Sequence, residues 1–265
     1  MRIDVALVPA EARRWTNTVS ILLDELRASS TIVRILERGA AAVVPAASLA
    51  EARRIARADG SLLAGEHRVV RAPGFDYGNS PAEVAAADLA GRVVVLSTRN
   101  GTAVLRALPA DAPILVGCLL NATAVARAAL AIARERNGDV GIVCAGRRGA
   151  FALDDAVAAG AILERLLAAA GLDDADLPTV DGHSDPRAPR QEAAAAAALT
   201  DAARAALQLW RSTPDVEASF RSSWSGHLLA GVDLLADIEA SLPVDATSIV
   251  PVVRPGMPPR IVSLA

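Results

Sequence analysis

Short, almost unbroken apolar runs recur along this chain with helix-like segments between them. Arg92-Val93-Val94-Val95-Leu96 is the plainest case. A strand that is polar on neither face is buried on both, the condition of a strand inside a parallel sheet covered by helices. Further runs read as strands at Arg2–Val8, Val19–Leu23, Ala40–Val44, Pro113–Gly117 and Val140–Cys144, with Pro9 and Pro45 stopping the runs before them. Ile32, Val33, Ile35 and Leu36 share a helical face that Gly39 closes. Ser48 with Glu51 makes a capping box for a helix over Ser48–Ala58. Helices also read at Pro81–Leu89, in a segment ending at Leu108, at Ala122–Arg136 behind Asn121 as cap, and at about Phe151–Ala170. Strand and helix in alternation predict an α/β domain with a mostly parallel sheet.

The last third is less regular. Gly171–Arg190 is rich in Asp and Pro and reads as a linker or surface loop. Gln191–Leu207 reads as alanine-rich helix, Thr213–Ser225 as irregular and Leu228–Ile238 as helix. Ile249–Val253 and Ile261–Leu264 pair as a hairpin across Pro255-Gly256-Met257-Pro258 and return to the sheet. The chain, 1–265, reads as one domain, and any sub-boundary falls near 171–190.

With 52% hydrophobic but only 3% aromatic residues, alanine and leucine must fill most of the core. A net charge of −3 gives no nucleic-acid footprint. No stretch is long and apolar enough for a bilayer, and no signal-peptide pattern opens the chain. Two cysteines, Cys118 and Cys144, sit in apolar runs and imply no disulfide framework, which suits a reducing cytoplasm.

One long loop stands apart, Gly65-Glu66-His67-Arg68 through Pro73-Gly74-Phe75-Asp76-Tyr77-Gly78-Asn79-Ser80-Pro81. It has no helical or strand periodicity of its own, and loops of this length in compact domains are usually functional, the competing reading being a structural Ω-loop. Asp24, Glu66, Thr98-Arg99-Asn100, Asn121 and Arg147 all lie just past predicted strand ends, where parallel α/β sheets form their ligand crevice. Asp24, Glu66 and Asp76 suit a divalent cation bound in the magnesium style, with few carboxylates plus water and phosphate. Asn100-Gly101-Thr102 at a helix start offers backbone N–H groups to an anion at the crevice mouth, and Gly101 permits close approach. Arg27, Arg99 and Arg147 add charge-assisted hydrogen bonds. Each of these residues also has a plainer role as cap, turn or surface ion pair. No Walker lysine, G-x-G-x-x-G, Gly-x-Ser-x-Gly or zinc spacing is present, and neither cysteine has an arginine six residues on.

Several segments together resemble the 2-phosphosulfolactate phosphatase family. They are Asp24-Glu25-Leu26-Arg27-Ala28-Ser29, Gly65-Glu66, Pro73 to Pro81, Thr98-Arg99-Asn100-Gly101-Thr102, Asn121-Ala122, Cys144-Ala145-Gly146, Phe151-Ala152-Leu153-Asp154-Asp155, Ala159-Gly160-Ala161, and the tail from Val244-Asp245 to Val252. The resemblance implies a three-layer α/β/α fold and a Mg²⁺-dependent phosphatase that converts 2-phosphosulfolactate to sulfolactate and phosphate, a step of coenzyme M biosynthesis. It implies Asp24, Glu66 and Asp76 as metal ligands, with Arg27 beside them in catalysis. Asn79, Thr98, Arg99, Asn100, Gly101, Thr102, Asn121, Arg147 and Asp155 would hold a small phosphorylated sulfonate or carboxylate. The nucleophile is open between water and a carboxylate such as Asp24, and association of identical copies is left open. Glu25 stands where an apolar residue is usual, Arg99 where threonine is, Arg147-Arg148 where threonine–glutamate is, and Ala158 where cysteine is. His67-Arg68-Val69 also departs from the usual pattern after Glu66. These departures keep a second reading open, a non-catalytic anion-binding protein on the same fold, or a phosphatase for another phosphorylated hydroxy-acid.

Overall fold

The computed structural model describes residues 1–98, 104–105, 108–109, 113–181 and 197–264. In chain order the elements are β1 (Arg2–Ala6), β2 (Thr18–Leu23), α1 (Ala28–Glu37), β3 (Ala42–Ala46), α2 (Leu49–Asp59), β4 (Leu62–His67), β5 (Val70–Arg71), α3 (Pro81–Ala85), β6 (Val93–Ser97), β7 (Ile114–Gly117) and α4 (Ala122–Glu135). Then follow β8 (Asp139–Cys144), α5 (Leu153–Ala170), β9 (Thr179–Val180), β10 (Ala198–Thr200), α6 (Asp201–Arg211), α7 (Val216–Ser222), α8 (Trp224–Ala230), α9 (Ala236–Ser241), β11 (Pro251–Arg254) and β12 (Arg260–Ser263).

Among the described residues twelve strands form one mixed sheet in the order β5-β4-β6-β3-β12-β11-β7-β2-β8-β1-β10-β9. β4, β6 and β3 are parallel neighbours, and so are β7, β2, β8, β1, β10 and β9. The expected C-terminal hairpin forms and sits between these two parallel blocks, antiparallel to each. It touches β7 through the pair Val252–Leu115 and β3 through Ile261–Val43.

Side chains of the inner strands β2 and β3 alternate between two covered faces. Val19, Ile21 and Leu23 of β2 join a core with Val125, Ala126, Ala129, Ile162 and Leu166 of α4 and α5, whereas Leu22 turns to Trp15 and Leu105 on the other side. In β3, Val43 packs with Ile32, Ile35 and Leu36 of α1, and Val44 with Ala52, Ile55 and Ala56 of α2. Burial on both faces is what the unbroken apolar runs require. With so few aromatics, close helix contacts do much of the filling. A Cβ on Gly160 of α5 would lie 2.1 Å from the Ala206 carbonyl of α6, so glycine is what lets these helices meet. A buried carboxylate, Asp4 of β1, is satisfied by Trp15 Nε1 at 2.9 Å and Thr200 Oγ1 at 2.7 Å.

The structure departs from the sequence reading in several places. Pro45 lies inside β3, opposite Leu96 of β6. β12 meets β3 only at Val43, so that ladder has ended before Pro45 and a residue without an N–H is tolerated. The loop opening at Gly65 begins as strand, because Gly65, Glu66 and His67 belong to β4. A Cβ on Gly65 would sit 2.6 Å from the Ser97 carbonyl, so only glycine lets β4 approach β6 here. Pro81–Leu89 is helical only to Ala85. Inside the segment read as a linker, Thr179–Val180 forms the edge strand β9. Ala198–Thr200, read as helix, is strand β10, inserted between β1 and β9; Thr200 then caps α6 through the Ala203 N–H at 3.2 Å. Pairing on both sides outweighs alanine's helix propensity there. Thr213–Ser225 contains α7 and the start of α8, capped by Asp215 at 2.8 Å from Ala218 N and by Ser223 at 3.0 Å from Gly226 N. Leu228–Ile238 is not one helix, since α8 ends at Ala230 and α9 starts at Ala236.

Candidate active site

The segment Asp24-Glu25-Leu26-Arg27, between β2 and α1, organises the site. Its backbone is pinned by α1: Ser29 N–H donates to the Asp24 carbonyl at 2.8 Å, Asp24 N–H to Ser29 Oγ at 2.9 Å, and Thr31 N–H to the Arg27 carbonyl at 2.9 Å. Successive side chains then go to different places. Asp24, 8% exposed, and Thr98, also 8% exposed, line a small cavity with Pro45, Leu96 and Leu105, so the ends of β2, β3 and β6 do meet.

Glu25 turns inward and is fully buried. Its Oε2 accepts from Leu119 N–H at 3.1 Å, and its own N–H donates to Asp155 Oδ1 at 2.8 Å. Asp155 Oδ2 accepts from Gly146 N–H at 2.8 Å. Burial pushes the Glu25 and Asp155 carboxyls well above the usual range, and the neighbouring Asp154 and Asp24 charges push the same way. Burial also pushes Asp154 up to about 6, against hydrogen bonds from its own amide, Ser223, Ser225 and the Leu26 amide. Asp155, expected at the substrate, is instead a brace that ties the Glu25 and Gly146 amides together from beneath.

Arg27 points outward from the same segment. Its Nη1 donates to Asp237 Oδ2 at 2.5 Å, and its Nη2 to Glu66 Oε2 at 3.0 Å and the Val69 carbonyl at 2.5 Å. Asp237, 1% exposed on α9, also accepts from Ser80 Oγ and from Ala82 N–H at 3.4 Å. One guanidinium therefore joins β2, β4, the Pro73–Pro81 segment and α9. The sequence carries no sign of Asp237, because its partner lies far away in the chain.

Arg27 and Glu66 open onto a cleft of about 110 Å³ whose other walls include Arg68, Arg147, Arg148 and Ser225. Arg147 lies over the exposed Trp224 ring, its guanidinium carbon 4.8 Å from the ring centroid, a cation–π contact. Arg68 and Arg148 went unnoticed as site residues in the sequence; the Arg147-Arg148 pair and the basic start of the long loop were the available signals.

Other expected residues lie elsewhere. Asp76 is exposed and turned back on β4, its Oδ2 accepting from Leu63 N–H at 2.8 Å. Asn121 is fully buried: its Oδ1 accepts from Cys118 N–H at 3.0 Å and its Nδ2 donates to the Val116 and Ile249 carbonyls at 3.2 and 2.9 Å. It bolts the end of β7 to the C-terminal tail, with no polar atom left for a ligand or for capping α4. Asn79 is 4% exposed, and its Oδ1 has no partner among the described residues. Arg99, Asn100, Gly101 and Thr102 lie outside the described residues. Cys118 and Cys144 are fully buried free thiols whose pKa burial pushes up, and they pack as small apolar groups.

Mg²⁺ held by Asp24, Glu66 and Asp76 together does not fit. Among the described residues no three His, Cys, Asp or Glu side chains are grouped to hold a cation, Asp76 braces β4, and Glu66 carries the Arg27 charge. Of the three, Asp24 lines the small cavity with Thr98, and few carboxylates completed by water and phosphate oxygens is the magnesium style of binding. The orphaned Asn79 Oδ1 beside Ser80 is a further oxygen in need of a partner.

No helix among the described residues is long and apolar enough to cross a membrane. The family model for 2-phosphosulpholactate phosphatase matches residues 6–256. A protein of Deinococcus radiodurans named a probable 2-phosphosulfolactate phosphatase is 36% identical, over 97% of this chain and 95% of its own. Relatives of the same name from Thermus thermophilus and Synechococcus are each 35% identical, covering 96% and 97% of this chain and 95% and 98% of theirs. With a match that begins at the last residue of β1 and runs through the other strands of both parallel blocks and the segment carrying Asp24 and Arg27, this chain belongs to the 2-phosphosulpholactate phosphatase family.

Proposed function

We propose that this protein hydrolyses 2-phosphosulfolactate to sulfolactate and inorganic phosphate. The observation that carries the reading is the arginine-walled cleft at the ends of β2, β4 and β8, lined by Arg27 of the same Asp24–Arg27 segment that puts Asp24 in the cavity with Thr98, in a chain of this family. The reacting phosphoryl group would sit between Arg27 and the Asp24–Thr98 cavity. Arg27 is held by Asp237 and Glu66 before substrate arrives, so its remaining donor capacity is already aimed and little ordering is left to do on binding. Thr98 offers a hydroxyl to a phosphate oxygen. Attack on phosphorus breaks the bond to the C2 oxygen, which leaves as the sulfolactate hydroxyl on taking a proton. The attacking oxygen is that of water, or that of Asp24 followed by water; trapping a phospho-enzyme separates the two.

Mg²⁺ is part of this proposal, at Asp24. When bound it would offset charge on the phosphate oxygens. The two free cysteines accord with cytoplasmic residence, and the step is proposed to be of the coenzyme M type. The test is phosphate release, with Mg²⁺, from a panel of phosphorylated hydroxy-acids. Turnover of 2-phosphosulfolactate is expected. Binding without release by any member would favour an anion-binding protein on the same fold.

A further inference from the structure

The two carboxylates that answer Arg27 are built differently. Glu66 stands at the edge of the cleft with its side chain 22% exposed, and among the described residues Arg27 is the partner of its carboxylate. Asp237 is 1% exposed, and both of its oxygens are engaged. Oδ2 accepts from Arg27 Nη1 at 2.5 Å, while Oδ1 accepts from Ser80 Oγ and from Ala82 N–H at 3.4 Å. The helix beneath it is fixed too: Ser241 Oγ donates to the Asp237 carbonyl at 2.9 Å, and Ile238 is fully buried. Glu66 can turn to water, whereas Asp237 cannot move without stranding buried donors.

On charge alone, one guanidinium with two carboxylates is a poor receptor for phosphate. What the carboxylates supply is direction. Arg27 Nη2 serves Glu66 and the Val69 carbonyl, and Nη1 serves Asp237. Of the N–H groups of a guanidinium, this leaves Nε–H and one on Nη1 for a ligand. We infer that Asp237 is a positioning residue of the phosphatase and acts through Arg27. It holds the guanidinium plane so that Nε–H and the free Nη1–H face the reacting phosphoryl group. Through Ser80 it fastens the Pro73–Pro81 segment at the same point. The inference rests on the phosphatase reading above and deepens it, tying α9 to the reaction. Donors aimed in advance stabilise developing charge without reorganising when the reaction occurs.

The test is kcat/KM on 2-phosphosulfolactate for Asp237→Asn, Asp237→Glu, Arg27→Lys and the double variant Arg27→Lys with Asp237→Asn. Asp237→Asn keeps the side-chain shape and removes a negative charge beside an anion site. Charge alone therefore predicts tighter phosphate binding and a higher kcat/KM. Positioning predicts the opposite, a fall of roughly tenfold to a hundredfold, the worth of one charged hydrogen bond. Asp237→Glu restores the charge and should recover part of the loss. Lysine has no planar fork to aim, so adding Asp237→Asn to Arg27→Lys should cost no more than about twofold further. Unchanged or improved kcat/KM in Asp237→Asn overturns the inference. So do losses that multiply in the double variant, as a purely structural carboxylate would give. If the wild type turns over no ester, the phosphatase reading falls by itself, and calorimetric titration with inorganic phosphate decides the role of Asp237. Weaker binding in Asp237→Asn sustains it; equal or tighter binding removes it. If Asp237→Asn does not fold, the wild-type protein soaked with inorganic phosphate decides. Phosphate oxygens on Arg27 Nε and Nη1, with the Asp237 contact kept, sustain the inference. An Arg27 that has left Asp237, or a phosphate bound away from Arg27, removes it.

Discussion

Two charged regions lie on either side of the segment Asp24–Arg27, and they are built in opposite ways. Behind it, Glu25, Asp154 and Asp155 are buried together, like charges in a low-dielectric interior, and backbone amides and serine hydroxyls answer them. In front of it, Arg27, Arg68, Arg147 and Arg148 line an open cleft, and among the described residues only Arg27 has carboxylate partners there. The rear cluster spends its hydrogen-bonding capacity on the chain itself, which marks it as scaffold. The front cluster holds donors in reserve, which marks it as a binding surface. Adjacent residues can thus serve opposite ends, and net charge alone does not tell a site from a brace.

The contrast breaks most visibly at Arg27, which belongs to both sides. Arg27→Met leaves Asp237 and Glu66 without their cation, and unpairing a buried charge costs about 3–5 kcal/mol. Turnover is expected to vanish along with a large drop in melting temperature. A well-folded, active variant would mean that the ion pairs are incidental.

Asp155→Ala removes acceptors for two amide N–H groups, at about 1–3 kcal/mol each, so a loss of about 3 kcal/mol is expected in denaturant melts. Arg148→Gln should stay within about 0.5 kcal/mol of the wild type, as exposed positions usually do. If Arg148→Gln proved the more destabilised of the pair, scaffold and surface would have been assigned the wrong way round.

A third prediction uses pH. Asp154 is raised from 3.8 to about 6 in the folded chain, so the fold binds its proton more tightly than the unfolded chain does. Its contribution is fully present below about pH 4 and is lost as pH rises through about 6. Relative to Asp154→Asn, the wild type should lose on the order of 2–3 kcal/mol between pH 4 and 7, from about 1.4 kcal/mol per unit. Melts at four pH values measure it, and parallel profiles for the two proteins would remove Asp154 as the source.

The smallest effect is expected at Asp76. Its exposed carboxylate accepts one backbone N–H, so Asp76→Asn should cost under about 1 kcal/mol and leave most turnover intact. Loss of activity with unchanged stability would return Asp76 to the metal.

What the sequence made legible follows the same division. The strands Thr18–Leu23 and Val93–Ser97 announce themselves because burial on both faces leaves a local apolar signature. The terminal hairpin was legible too, although its place between the two parallel blocks was not. Strand β10 hid inside an alanine-rich run, and α7 and α8 were hidden because their caps, Asp215 and Ser223, sit in a stretch without clear periodicity. In the site, residue types were readable but directions were not. Asp24 and Arg27 were found because they follow a strand end. Asp76, Asn121 and Asp155 have the right chemistry, yet their side chains are bound to nearby or distant backbone. Asp237 was missed because only the folded chain brings it to Arg27.

The most direct test of the division between brace and cleft is a crystal structure of the protein soaked with sulfolactate and inorganic phosphate. The phosphate is predicted beside Arg27 and Asp24, with the sulfonate against Arg68 and Arg148 and the Glu25–Asp155 cluster untouched. Products bound away from the arginine cleft, or a sulfonate turned from Arg68 and Arg148 toward solvent, would contradict the account.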